Sequence, residues 1–490
     1  MRTTHASRSG IVRMGGGCAV LALTLGLWSA GAAVAKVSPE EAAKVGLEGT
    51  ELTPLGAIRA GNADGSIPAY TGGITQPPAG YTRGDWYIDP YSDDEILFTI
   101  TADNYQQYKD KLADGQIALF EKYPDTYKMH VYKTHRSASH PRWYLENSVW
   151  NASNTQWCDP PRSEDTKERC VDRDSYRPGL FFPIPKTGGE AIWNHTYYFF
   201  GKHWEWTGYG FNAYTDGGYA ETTKIDRAIS PLFMSAEELP DGNFFKRDGG
   251  AMWCFSQEDI APPRAAGTIF GGCNYFQSND FDAYLYIPGQ RRVRKAPEIG
   301  FYDSPGTGSD GLRTADQRFL FAVTGDEEWY NYEQPERREM YIPYNNYKLA
   351  SPEYDFDDIV RAGHNNPDLI RYELHRVWVI RGKLKDGFRH LGPRRVVYVD
   401  EDSWVAVHAE MYDTKDELWR VSEAYPINYY DVPMLSWWGD SHMDLISGRY
   451  AGVNSYYNVG ADRGTGPPDF HNPPDAAIFT PAGLRKYGVR

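Results

Sequence analysis

The stretch RYELHRVWVIRGKL at 371–384, followed by RRVVYV at 394–399, WVAVHAEMY at 404–412 and LWRVSEAY at 418–425, decides the fold. Each segment is rich in β-branched and aromatic residues, and two of the connections are short and acidic: Asp400, Glu401 and Asp402, then 413–416. Consecutive strands joined by such turns run antiparallel and make a meander, the unit of a curved sheet or barrel. Period-2 alternation puts Tyr372, Leu374, Arg376, Trp378 and Ile380 on one face of the first strand, and Glu373, His375, Val377 and Val379 on the other. The strand at 394–399 is apolar on both faces, so both are covered. Helices would cover one. A lined cavity, where a ligand would sit, would cover the other. Arg376 stands on an otherwise apolar face, either paired with a carboxylate at the core edge or holding a polar ligand group.

Working outward, 283–287 and 291–295 read as a hairpin around Pro288, Gly289 and Gln290. Aromatic residues make up 15% of the chain, with 36 Tyr and 15 Trp, a usage that suits twisted sheet more than helical bundles. Helices are few. Ser38, Pro39 and Glu41 form a start signal for a short helix ended by Gly46; a longer helix is expected over 102–122, and a third over 190–200. Residues 47–84 are dense in Gly and Pro, yet Leu55, Ile58, Ile67, Tyr70 and Ile74 mark them as an irregular arm packed on a folded body. There is no internal repeat and no βαβ rhythm. The expected class is therefore mainly β with flanking α: a large curved antiparallel sheet or half-barrel, closed by a few helices and spanning 36–490 as one domain.

The N-terminus supplies an address. Arg2, Arg8 and Arg13 precede an apolar run from Ala19 to Trp28, and small residues lead to Ala33, Val34 and Ala35 before Lys36. This is a secretory signal peptide over 1–35, cleaved after Ala35, which places the mature chain in the periplasm. The formal charge of −15 becomes −18 without the three leader arginines, which argues against nucleic acid as a partner. Cys18 leaves with the leader. Cys158, Cys170, Cys254 and Cys273 remain, an even number in an oxidising compartment, and read as disulfides rather than as a metal site. Three connectivities are open; proximity favours Cys158–Cys170 and Cys254–Cys273.

Motifs that carry chemistry are scarce. Gly306 to Gly311 match G-x-G-x-x-G, but no apolar strand precedes them and no hydrophobic helix follows, so they read as a loop. His135 and His140 sit five apart, a poor spacing for shared ligation on either a strand or a helix; His195 and His203 read as structural. No metal site and no cofactor is expected. Trp437 and Trp438 before Gly439 read as an exposed docking spot in a connection.

Several stretches, taken in order, resemble a bacterial periplasmic family of unknown function that is often labelled outer-membrane lipoprotein-sorting-like. They are Leu52 to Gly56 with Arg59 to Gly65, Thr134 to Ala138, Pro183 to Lys186, Trp193 to His195, Tyr286 to Arg294, Met340 to Asn345, Arg371 to Trp378 and Tyr398 to Trp404. The resemblance implies a LolA/LolB-like half-barrel with a hydrophobic interior, LolA and LolB being carriers of acyl chains. It also implies association with an inner-membrane pump of the resistance–nodulation–division type and an outer-membrane β-barrel protein. It supplies no catalytic residues. This chain is more than twice the size of LolA or LolB, and its arm and cysteine-bearing loops have no counterpart in them.

The function expected is a non-catalytic periplasmic carrier or chaperone for a hydrophobic or lipid-like molecule moving between the inner and outer membranes. Its affinity would come from apolar burial at about 25 cal/mol per Å². The expected cavity residues are Tyr286, Leu374, Arg376, Trp378, Tyr398, Trp404 and Trp419. The alternatives are an enzyme acting on envelope polysaccharide through two carboxylates set ~5–9 Å apart, and a scaffold bridging a pump to its outer-membrane partner.

Overall fold

The computed structural model describes residues 37–158, 171–247, 249–276, 282–295, 309–314, 329–453 and 456–488. Residues 1–35, expected as a signal peptide, Cys170 and residues 306–308 lie outside these. The chain enters its sheet through two short strands, β1 (Phe98–Ile100) and β2 (Met129–Val131). A first meander follows: β3 (His203–Ala213), β4 (Tyr219–Ile229), β5 (Ala251–Ala261), β6 (Ile269–Tyr275), β7 (Asp282–Ile287) and β8 (Arg292–Lys295). The second runs through β9 (Tyr330–Tyr332), β10 (Glu336–Pro343), β11 (Tyr372–Leu384), β12 (Arg394–Asp400), β13 (Ala406–Tyr412), β14 (Leu418–Tyr429), β15 (Met434–Asp444) and β16 (Tyr450–Gly452). The expected meander from 371 to 425 is therefore present.

These sixteen described strands form one open, curved, mostly antiparallel sheet in the order β1-β2-β11-β12-β13-β14-β15-β16-β3-β4-β5-β6-β7-β8, with β9 and β10 also paired to β11. One parallel contact, Tyr372 opposite Val131, joins β2 to β11. The two meanders meet at β16, a strand of three residues that pairs His442 and Met443 of β15 on one side and Phe211 to Ala213 of β3 on the other. Register sorts the side chains. Val397 opposes both Ile380 and Ala409, Ala409 opposes Ser422, Ser422 opposes His442, and Trp206 opposes Asp226, all on one face. The largest core cluster grows on that face around Val397, Ala409, Trp204, Trp206 and Trp437. Tyr209, Phe211, Val421 and Met443 build a second core on the opposite face with Leu119 and Phe120. Both faces are covered, as the apolar strand at 394–399 requires.

The helices differ from expectation in instructive ways. Ser38 caps Pro39–Ala42 through a full capping box with Glu41, but the helix stops short of Gly46. The expected helix over 102–122 breaks in two: a 3-10 segment at Tyr105–Lys111 and an α-helix at Asp114–Lys122. Leu112 and Ala113 between them are extended, and the Gln116 side chain accepts from Ala113 N to restart the helix. Gly115 explains the new start. A Cβ there would lie 2.8 Å from the His408 ring, so only glycine lets the helix approach the sheet this closely. The third helix runs Gly188–Thr196, capped by Thr187, and Tyr197 to Phe200 leave it as a buried aromatic run.

The arm is ordered without regular structure. Leu55, Ala57 and Ile67 are buried, Ile74 N donates to Ser137 O, and the Trp404 indole donates to Leu55 O at 3.0 Å. Gly56 is the tightest point: its φ is +82°, and a Cβ would fall 1.8 Å from the Pro183 carbonyl oxygen. Cys254 and Cys273 face each other across β5 and β6 and are disulfide-bonded. Cys158 is also disulfide-bonded.

Candidate functional site

Because β16 is so short, β3 and β15 are clasped together at their C-terminal ends and splay apart towards their N-termini. The splayed ends line a recess of about 200 Å³ of empty space including its mouth. Trp204 and Trp206 come from β3, Met434, Ser436 and Trp437 from β15, and Tyr457 and Phe470 from the C-terminal segment. Alternation on β3 stacks the two indoles at 3.5 Å, and Trp206 meets Trp437 edge-on at 6.3 Å and Tyr457 at 5.1 Å. A register shift between Tyr425 and Pro426 re-aims β14 and β15 beside the recess, where Tyr429 OH donates to Trp437 O.

Beside the aromatic recess, on the same sheet face, lies a row of buried polar groups. Register sets Ser422 opposite His442, Gly208 opposite Lys224, and Lys224 opposite Asp259. Ser422 Oγ and His442 Nδ1 share a hydrogen bond of 2.9 Å, and His442 Nε2 lies 3.6 Å from Asp440 Oδ2. Asp440 is itself fixed by a 2.6 Å hydrogen bond from Val453 N, which ties the row to the clasp. Burial dominates the titration of the row: it pushes the Asp226 carboxyl up to about 6 and holds His442 and Lys224 below their ordinary ranges. Burial likewise raises the Tyr457 hydroxyl, reinforced by Tyr429 and by the charges of Asp226 and Asp440. Asn212 Oδ1 and Thr222 Oγ1, also buried, have no hydrogen-bond partner among the described residues. Asp226, opposite Trp206, is the member of the row that stands next to the recess, whereas Asn212 and Thr222 lie towards the clasp.

A second constellation sits at the β12–β13 turn. Asp400, Glu401 and Asp402, expected as a short acidic connection, are all buried. Arg136 grips Asp402 with both ends of its guanidinium (Nη2–Oδ1 2.6 Å, Nε–Oδ2 2.8 Å) and donates to Ile58 O, Arg59 O and Pro68 O of the arm. Glu401 meets Arg376 at 3.4 Å and Arg337 at 3.3 Å. Burial, then the neighbouring charge of Asp402, pushes Asp400 up to about 6 and Glu401 up to about 7.

The seven residues expected to line a cavity fall in five places. Trp378 and Trp404 stack at 5.7 Å, with Arg337 over Trp378 at 4.0 Å and Arg376 paired to Glu401 nearby. Leu374 packs in the second core. Tyr398 OH donates to Glu410 at 3.3 Å, and the half-buried Trp419 donates to Asp444 at 2.9 Å. Tyr286 is buried against Leu484 at the far end of the sheet. None lines the recess. Trp437 and Trp438, expected as an exposed spot, are buried within β15, where Trp437 lines the recess and Trp438 donates to Asn458 at 3.0 Å. The recess had a signal in the alternation Trp204-Glu205-Trp206.

Fold and site together define a mainly β, open-sheet protein with an aromatic recess and a buried polar row on one face. The chain belongs to a family described as a protein of unknown function, DUF1329, whose model matches residues 99–485. An uncharacterized protein of Pseudomonas aeruginosa, PA3922, is 40% identical over 474 residues, covering 96% of this chain and 98% of its own. Among solved structures the chain is similar to a DUF1329 family protein from Desulfovibrio piger (12% identity, 61% of this chain and 97% of that one, TM-score 0.39). It is also similar to LolA superfamily protein NE2245 from Nitrosomonas europaea (13% identity, 60% and 97%, TM-score 0.33). A third similarity is to a putative outer membrane lipoprotein-sorting protein domain from Vibrio parahaemolyticus (14% identity, 58% and 91%, TM-score 0.36).

Proposed function

We propose that the protein is a non-catalytic periplasmic carrier or chaperone for an amphiphilic, lipid-like molecule that passes between the inner and outer membranes. The observation that carries this reading is the splay of β3 and β15, which sets the aromatic recess beside the polar row. The recess would take the apolar end of the cargo through Trp206, Trp437 and Met434. Asp226, which stands opposite Trp206, would accept a hydrogen bond from its head. Among the described residues no helix is long and apolar enough to cross a membrane. In this reading, a resistance–nodulation–division pump and an outer-membrane β-barrel protein would hand over and receive the cargo.

The test uses the mature chain and a dansylated fatty acid as probe. Micromolar binding is expected, with Trp206→Ala and Trp437→Ala each weakening it about tenfold, the loss of roughly 1.4 kcal/mol of ring contact. Native mass spectrometry of protein drawn from periplasm should show a bound amphiphile. Equal probe affinity in both variants, with no copurifying amphiphile, overturns the reading.

A further inference from the structure

Beside the ion pairs of the β12–β13 turn, one carboxylate stands apart. Asp402 has Arg136, Glu401 has Arg337 and Arg376, and Glu373 has Arg371 at 2.6 Å. Among the described residues no cationic side chain is bonded to Asp400. Its Oδ2 accepts from Ser403 Oγ at 2.5 Å and Tyr344 OH at 3.2 Å; its Oδ1 is buried and has no hydrogen-bond partner among the described residues. A fully buried carboxylate without a cation is costly, and proteins resolve that cost with a proton, a paired base or a metal.

The surroundings favour the metal. His375, Asp400 and Asp402, all buried, each offer one ligand atom, and these atoms lie within 4.8 Å of one another. His375 Nε2 is 3.1 Å from Glu373 Oε2, and Glu373 Oε1 is held by Arg371 Nε and by Asn345 Nδ2 at 2.9 Å. A carboxylate that fixes one ring nitrogen and leaves the other to the ion is the usual outer shell of a metal-bound histidine. Tyr344, stacked on the imidazole at 3.9 Å, holds the ring plane. Each oxygen of Asp402 takes one hydrogen bond from Arg136 and keeps a second lone pair.

We propose that His375, Asp400 and Asp402 form a binding site for one divalent transition-metal ion. One imidazole nitrogen and two carboxylate oxygens match zinc or a similar borderline ion, whereas calcium and magnesium call for six or more oxygens. Donors around zinc stand about 3.4 Å apart, so binding the ion would draw the three ligand atoms closer together. The ion would join β11 to the β12–β13 turn, on which the arm rests through Arg136. The site is separate from the aromatic recess and stands or falls independently of the carrier reading.

The experiment takes the mature chain stripped with EDTA, titrates it with ZnCl2 by calorimetry, and counts metal after desalting. One equivalent is expected, together with a higher melting temperature. His375→Gln and Asp400→Asn should abolish the equivalent. Glu373→Gln should weaken it 10- to 100-fold. His130→Ala, which alters a surface histidine beside Asp368, should leave it intact. Circular dichroism verifies folding, and the isosteric His375→Gln decides the matter if Asp400→Asn does not fold. No uptake by the parent chain, or undiminished uptake in a folded His375→Gln, overturns the proposal.

Discussion

Replacing Arg136 by Met tests what holds the N-terminal arm to the sheet. The guanidinium is 2% exposed and makes five hydrogen bonds of 3.3 Å or less: two to Asp402, and one each to the carbonyls of Ile58, Arg59 and Pro68. Methionine keeps the volume of the stem but leaves Asp402 buried without its partner and three arm carbonyls without a donor. Breaking a buried pair from one side costs about 3–5 kcal/mol. At about 2.1 cal/mol/K per residue, unfolding Lys36–Arg490 carries on the order of 1 kcal/mol/K, so Tm should fall by about 4 °C. The arm should also open locally, which limited proteolysis reads as faster cleavage between 47 and 84. Arg136→Lys keeps the charge without the two-pronged grip and should fall in between. Adding Asp402→Asn to Arg136→Met removes the stranded charge and should recover part of the loss, a coupling of about 0.5–3 kcal/mol. A Tm within 1 °C of the parent and unchanged proteolysis in Arg136→Met would refute the reasoning.

Three further outcomes are expected. Cys254 and Cys273 are 19 residues apart, so Cys254→Ala with Cys273→Ala should lower stability by about 3 kcal/mol; denaturant melts that coincide with and without the bridge would count against this. His408 is buried between Glu410 at 3.7 Å and Glu423 at 3.5 Å; burial lowers its pKa, but the two carboxylates outweigh burial and raise it to about 9. The folded state thus holds an extra proton above pH 6.5, so this stability is complete below 6.5 and lost as pH rises to about 9; melts of His408→Gln should show a flatter profile over that window. Gly56→Ala should cost more than the ~1–2 kcal/mol of a left-handed residue, because the Pro183 carbonyl blocks its Cβ, with amide exchange speeding up over 53–57.

Much of this molecule could be read from its residues. β-Branched and aromatic runs between short turns from Arg371 to Tyr425 placed the second meander, because a strand covered on both faces loses its alternation but keeps its strand-forming residues and its turns. Composition found the ordered arm, since Leu55 and Ile67 are apolar enough to be buried within a Gly-rich segment. The first meander was harder, because Gly208, Gly210 and the charged Glu205 and Lys224 dilute the pattern in β3 and β4.

The site was the least legible part. Asp400, Glu401 and Asp402 look like a solvated turn because three adjacent acids normally are one. They are buried here because Arg136, Arg337 and Arg376 converge on Glu401 and Asp402 from positions far apart in the chain. The recess depends on β16 being three residues long and on its pairing with β3, more than two hundred residues earlier. Local preference determined which segments are strands, which is a matter of side-chain shape and period. Tertiary structure alone decided which strand ends stand apart and which charges meet, because both depend on contacts that no short window of sequence contains.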